Sequence, residues 1–130
     1  MLSAEQILDA VGGNGSLKPT SQQAWGGEVF VMRMTADQRD GLDLAWGRQR
    51  DLDDNKGVGY RAYVVAWCLC DDGNAPLFRD QDGDKNHSDM WGKLRLESAS
   101  IVDRLFESAA KINGIMPEDE DAALNAAAKN

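Results

Sequence analysis

Cys68 and Cys70 stand one residue apart and run directly into Asp71-Asp72. Thiolates and carboxylates this close could hold a metal ion or carry redox chemistry. The spacing argues against both. The two cysteines end a run of nine apolar residues that begins at Ala62. On a helix, side chains two positions apart differ by about 200° and cannot chelate one ion together. On a strand they would share a face, but a structural zinc site takes four ligands and the chain has a single histidine, His87. Both cysteines are expected to be buried, unreactive thiols.

Asp80, Asp82 and Asp84 fall at the first, third and fifth positions of a calcium loop. The sixth position requires glycine and holds Lys85; the twelfth requires glutamate and holds Trp91. A solvated acidic loop is the expectation. Gly12-Gly13-Asn14-Gly15-Ser16 lacks the Lys-Ser/Thr pair and the preceding strand of a phosphate loop. His87 lies in a polar stretch without a nucleophile signature, and is expected to be exposed. Asp53-Asp54 and Asp71-Asp72 are neighbours in loop-like sequence, not partners across a dry cleft. No catalytic set emerges, so neither enzyme activity nor a cofactor nor a metal is expected.

The elements that would position these residues can be read along the chain. Residues 3–11 predict a short helix, with Ser3 as N-cap, Gln6 as its capping-box partner, a Leu2–Ile7 staple and Gly12 as its stop. Residues 12–26 are rich in Gly, Ser, Asn and Gln and predict a flexible linker. Glu28 to Met34 predicts a strand, with Val29 and Val31 on one face and Phe30, Met32 and Met34 on the other. It needs a partner strand, in this chain or in a neighbour. Thr35 and Gln38 then cap a helix whose stripe is Leu42, Ala45 and Trp46. Residues 51–59 form a polar loop.

Tyr60 to Cys70 is long for a strand and apolar on every side, which predicts a central, buried helix. A turn at residues 71–74 follows, with Leu77 and Phe78 returning to the core. After a polar stretch over 79–89 the helical pattern resumes at Met90. Leu94, Ile101, Leu105 and Ile112 form one stripe; Trp91, Val102, Phe106 and Ala109 widen it, with a break near Gly92 and Leu96. Asn113-Gly114-Ile115 predicts a Schellman stop. Pro117 opens an acidic, alanine-rich tail helix in which Leu124 is the one large apolar residue, so it is expected to fray or to await a partner.

A chain of 130 residues suits one domain. Its formal charge of −8, with no basic run of five, argues against nucleic acid as a partner. The apolar runs fall short of the ~20 residues that span a bilayer, and the N-terminus lacks a basic n-region, so neither a membrane span nor a signal peptide is expected. Two cysteines make no disulfide framework, which suits a reducing cytosol.

The fold class expected is α+β, mostly α-helical: a small helical domain with one short strand or hairpin near residues 27–34. The chain divides into 1–26 (helix and linker), 27–116 (helical core) and 117–130 (tail helix). Trp46, Val64, Trp67, Leu69, Phe78, Leu94, Ile101, Leu105 and Phe106 are expected in the core. Four tryptophans and five methionines favour contacts with other chains. Trp25, between linker and strand, joins Val29, Phe30, Val31 and Met32 as the expected interaction surface.

Three segments in this order carry a resemblance: VFVMRMTADQRDGL, then YRAYVVAWCLCDDGNAPLF, then DRLFESAAKINGI ahead of an acidic tail. Over roughly residues 27–116 the chain resembles the tail assembly chaperones of long-tailed bacteriophages. The resemblance implies a non-enzymatic protein of the host cytoplasm. It would bind the tape measure protein, keep its apolar helical segments in solution, recruit tail tube subunits and be absent from the mature virion. It also implies self-association into a homo-oligomer and a frameshifted longer form. Ala128-Lys129-Asn130 is compatible with the codons GCA-AAA-AAC or GCA-AAA-AAT, either of which contains a slippery run; a GCG or AAG codon there would remove it. The competing reading is another phage structural part, such as a head–tail connector or a tail-completion subunit.

Overall fold

The apolar run becomes the axis of the molecule. Every residue of α3 (Tyr60–Cys68) except Arg61 is buried. A helix that is apolar all round must be enclosed by other elements, and α3 is: α5 (Ala99–Asn113) and α4 (Lys85–Leu94) pack on it, with α2 (Ala36–Leu52) and α6 (Pro117–Asn125) completing the shell. The computed structural model describes residues 1–12, 17–52, 57–79 and 85–125. Among these are six helices and one three-stranded antiparallel sheet, ordered β1 (Thr20–Ala24), β2 (Gly27–Val31), β3 (Leu69–Cys70). The fold is α+β and mostly helical.

The sheet departs from expectation in three places. Residues 20–24, read as linker, are a strand paired with β2 in register Thr20↔Val31 to Ala24↔Gly27. The sequence TSQQA has little intrinsic strand preference; only pairing with β2 makes it one. The strand expected over 28–34 stops at Val31. Beyond it, side chains take over the backbone. Asn113 accepts from Met34 N–H at 2.7 Å and donates to Met32 O at 2.8 Å. Asn74 accepts from Arg33 N–H and donates to Arg33 O, both at 2.9 Å. An asparagine amide offers one acceptor and two donors, so two of them can replace a neighbouring strand over 32–34. The helix expected through Cys70 ends at Cys68, and Leu69-Cys70 turns extended to pair with Phe30 and Val31.

Three helix ends follow the sequence closely, whereas α4 begins at Lys85, inside the stretch 79–89 read as polar and ahead of the expected start at Met90. Ser3 Oγ accepts from Gln6 N–H at 3.2 Å while Gln6 returns the bond to Ser3 N–H at 2.8 Å, opening α1 (Ala4–Gly12). Thr35 and Gln38 repeat the arrangement ahead of α2. Gly114 closes α5 at φ 68°, and Ile115 N–H reaches Ala110 O at 2.9 Å. The break between α4 and α5 lies at residues 95–98, with Gly92 inside α4. Leu2 and Ile7, the expected staple, both remain exposed.

Within the described residues the tail segment is helical and docked on the core. Arg61 grips Glu120 with two bonds of 2.8 and 3.0 Å, and Arg39 approaches Asp119 at 3.6 Å. At the other end, Trp46 Nε1 and Arg50 Nη1 both donate to Ala123 O at 3.1 Å. Both donors meet one carbonyl group left open by the helix C-terminus. Docking of α6 thus combines these polar contacts with Ala123 and Leu124 packed against the core. Arg61→Ala should raise amide hydrogen exchange over 117–125 while lowering global stability by only about 1 kcal/mol, because the pair is partly solvated. Unchanged exchange there would show that Trp46 and Arg50 hold the helix unaided.

Of the expected core residues, Trp46, Val64, Trp67, Leu69, Leu94, Leu105 and Phe106 are buried, whereas Phe78 and Ile101 are half-buried at its margin. Trp46, Tyr60, Tyr63 and Trp91 meet edge to face at centroid distances of 5.2 to 6.5 Å. No helix among the described residues is long and apolar enough to cross a membrane.

Candidate interaction surface

The surroundings of the residues with chemical potential remove most of it. Cys68 and Cys70 are free, buried thiols. Burial pushes Cys68 up to about 12, and burial together with the nearby Asp71 carboxylate pushes Cys70 up to about 11. A thiol that resists ionisation is a poor nucleophile and a poor metal ligand. No group of His, Cys, Asp and Glu among the described residues could hold a metal ion. The calcium-like aspartates 80, 82 and 84, the pair Asp53-Asp54, residues 13–16 and Ala128 to Asn130 lie outside the described residues.

Native chain should therefore leave a thiol reagent unreacted at pH 8, with two thiols titrating on unfolding. Stability should also fall in alkali. Unfolded thiols ionise near pH 9, the folded ones only at about 11 and 12, so stabilisation is full below pH 9 and is lost as pH rises through that window. Urea midpoints from pH 7 to 10.5 would check this: the double replacement Cys68→Ala and Cys70→Ala should flatten the decline. An equal slope in both proteins would assign the decline to other groups, such as Tyr60.

His87, expected to be exposed, is fully buried. Its Nε2 lies 3.0 Å from Tyr63 O, and its ring packs edge-on to Tyr63 at 4.3 Å and Trp67 at 5.5 Å. It belongs to the aromatic core. The signal for this was helical spacing: His87 and Trp91 are four apart on α4 and share a face.

The expected interaction residues separate into two groups. Val31 is 2% exposed and Met32 is wholly buried, so neither can meet a partner. Val31 lies in the central strand between Thr20 and Leu69, and Met32 sits beneath Arg79, whose Nη2 approaches Met32 Sδ at 3.6 Å. Trp25, Val29 and Phe30 line a groove of about 480 Å³ with Leu77, Phe78 and Met90. Trp25 is 44% exposed and Leu77 53% exposed. Leu77 does not return to the core as expected; its backbone N–H is fixed to Leu69 O at 3.0 Å while the side chain stays outside. The groove's acidic rim is Glu28, Asp71 and Asp72.

Trp25 occupies an unusual position. It and Gly26 form the two-residue turn between β1 and β2, with φ of 53° and 79°. Two positive φ values identify the hairpin turn that favours Asn-Gly. A bulky residue in the left-handed region costs roughly 1–2 kcal/mol, so the sequence keeps an aromatic ring at the tip at the expense of turn stability. Trp25→Asn should raise stability by about 1 kcal/mol, read as a higher urea midpoint. Lower stability would mean that the indole contributes more to the fold than the turn costs.

A second cleft of about 430 Å³ lies between residues 57–62 and helices α5 and α6. Its Arg61 is already engaged by Glu120 and by Asp103 at 3.2 Å, and its Arg95 guanidinium lies 4.6 Å from the Trp91 ring centroid, leaving less charge to recognise a ligand. The groove at Trp25 combines exposed apolar surface, a strained aromatic and one sign of charge, and is the better candidate. Comparison with protein-family models, with curated proteins and with solved structures gives no match.

Proposed function

We propose that the chain is a non-enzymatic interaction protein, a tail assembly chaperone of a long-tailed bacteriophage that acts in the host cytoplasm. The observation that supports this reading best is Trp25, an exposed aromatic held in a costly turn beside an open apolar groove. Backbone strain that a better residue would remove points to a use outside the fold. In this reading, apolar segments of the tape measure protein seat against Trp25, Phe30, Leu77 and Phe78. The charge of −8 keeps loaded complexes apart, and shallow contacts permit release when tail tube subunits arrive.

Co-expression with a candidate tape measure protein tests the reading. Tape measure fragments should stay in the supernatant and co-purify with the wild-type chain. Capture should be lost with the double replacement Trp25→Asn and Leu77→Ser, which should keep a cooperative urea transition because both positions are exposed. Stoichiometric chain in purified virions, or fragments that precipitate equally with and without it, would sink the proposal; the virion result would favour a connector or tail-completion part.

A further inference from the structure

The groove also carries information about what can enter it. Trp25, Phe30, Leu77, Phe78 and Met90 give it an apolar lining. The charged residues lining it among those described are Glu28, Asp71 and Asp72, all carboxylates and all exposed. Asp71 is held in place: its Oδ1 accepts from Gly73 and Ala75 N–H at 2.9 and 3.0 Å. Glu28 is likewise oriented, accepting from Ser21 Oγ–H at 2.6 Å. Fixed carboxylates around an apolar depression repel an acidic segment and attract a basic one.

We infer that the groove selects peptide segments in which apolar side chains are flanked by lysine or arginine. This rests on reading the groove as the client site, and it adds a selection rule to that reading. The chain's own α1 is a poor occupant. It has an exposed apolar stripe of Ile7, Leu8 and Val11, but its charged side chains are Glu5 and Asp9. A second copy docking α1 here would bring carboxylates to carboxylates. Exposed ion pairs are each worth a factor of about 1.5 to 5 in affinity, so the three rim positions together give about tenfold.

Three labelled peptides of equal length distinguish the possibilities by anisotropy: one alternating Leu with Lys, one Leu with Glu, one Ser with Lys. The Leu/Lys peptide should bind about tenfold more tightly than either of the others, and less tightly as salt rises. It should also protect Trp25 from acrylamide quenching, since the other three tryptophans are buried already. Glu28→Gln with Asp72→Asn, both exposed and outside the core, should remove most of the preference and leave the Leu/Glu peptide unaffected or improved. Equal binding of Leu/Lys and Leu/Glu peptides would overturn the inference, as would equal binding of Ser/Lys, or binding that leaves Trp25 quenching unchanged. Concentration-dependent self-association abolished by Leu77→Ser would overturn it too, by assigning the groove to a second copy. Tape measure capture without peptide preference would remove the selection rule alone; preference without capture would remove the chaperone reading alone.

Discussion

Lysine in place of Val31 should unfold the chain. Val31 is 2% exposed and sits in the central strand, paired with Thr20 on one side and Leu69 on the other. Val31→Lys loses the burial of a branched side chain, about 1.5–3 kcal/mol, and forces an ammonium group toward a region of apolar neighbours. Together these should cost roughly 4 kcal/mol or more, a large share of the ~5–15 kcal/mol by which a domain is stable. The expected result is loss of the cooperative urea transition, or of recoverable folded protein. Leu77→Lys is the control: lysine for an apolar residue at a position 53% exposed should shift stability by no more than about 0.5 kcal/mol. A folded Val31→Lys chain that has merely lost partner binding would show that the sheet face at Val31 is open.

Trp67→Ala should cost about 3–5 kcal/mol, from lost burial plus the cavity left behind. Trp67 is 7% exposed and stacks on Tyr63 at 6.3 Å, packs edge-on to His87, and carries the Arg79 guanidinium 3.9 Å above its ring. Burial lowers the Arg79 pKa, so that cation depends on the aromatic face beside it. Trp67→Phe separates packing from polarity. The indole N–H is buried and has no hydrogen-bond partner among the described residues. Phenylalanine removes that unsatisfied donor while keeping most of the ring, so its cost should be about 1–2 kcal/mol. Equal losses for the two variants in urea titration would mean that the indole N–H is satisfied after all.

The helical part of this protein was legible because its signals are local. Ser3 with Gln6, Thr35 with Gln38, and Asn113-Gly114-Ile115 place three helix ends, since capping joins groups three to five residues apart. The run from Tyr60 to Cys68 had to be central, because a helix without a polar face has nowhere else to go. The half-buried ring of Phe78 and the margin position of Ile101 were harder to separate from true core, because periodicity gives a face and not a depth.

Tertiary structure decided the remainder. Nothing in TSQQA marks a strand until β2 lies beside it, and nothing in residues 32–34 says that Asn74 and Asn113, 41 and 81 residues away from their partners, will end the ladder. His87 read as a loop residue because its companions Tyr63 and Trp67 come from another helix. Alternation along a strand tells which side chains share a face, but whether that face is covered depends on segments distant in sequence. That is why Trp25, Val29 and Phe30 line the groove while Val31 and Met32, the next two residues along the chain, are sealed. Sequence set most of the helices, three of their ends and the apolar axis. Packing between distant segments set which of the remaining apolar residues are left for another molecule.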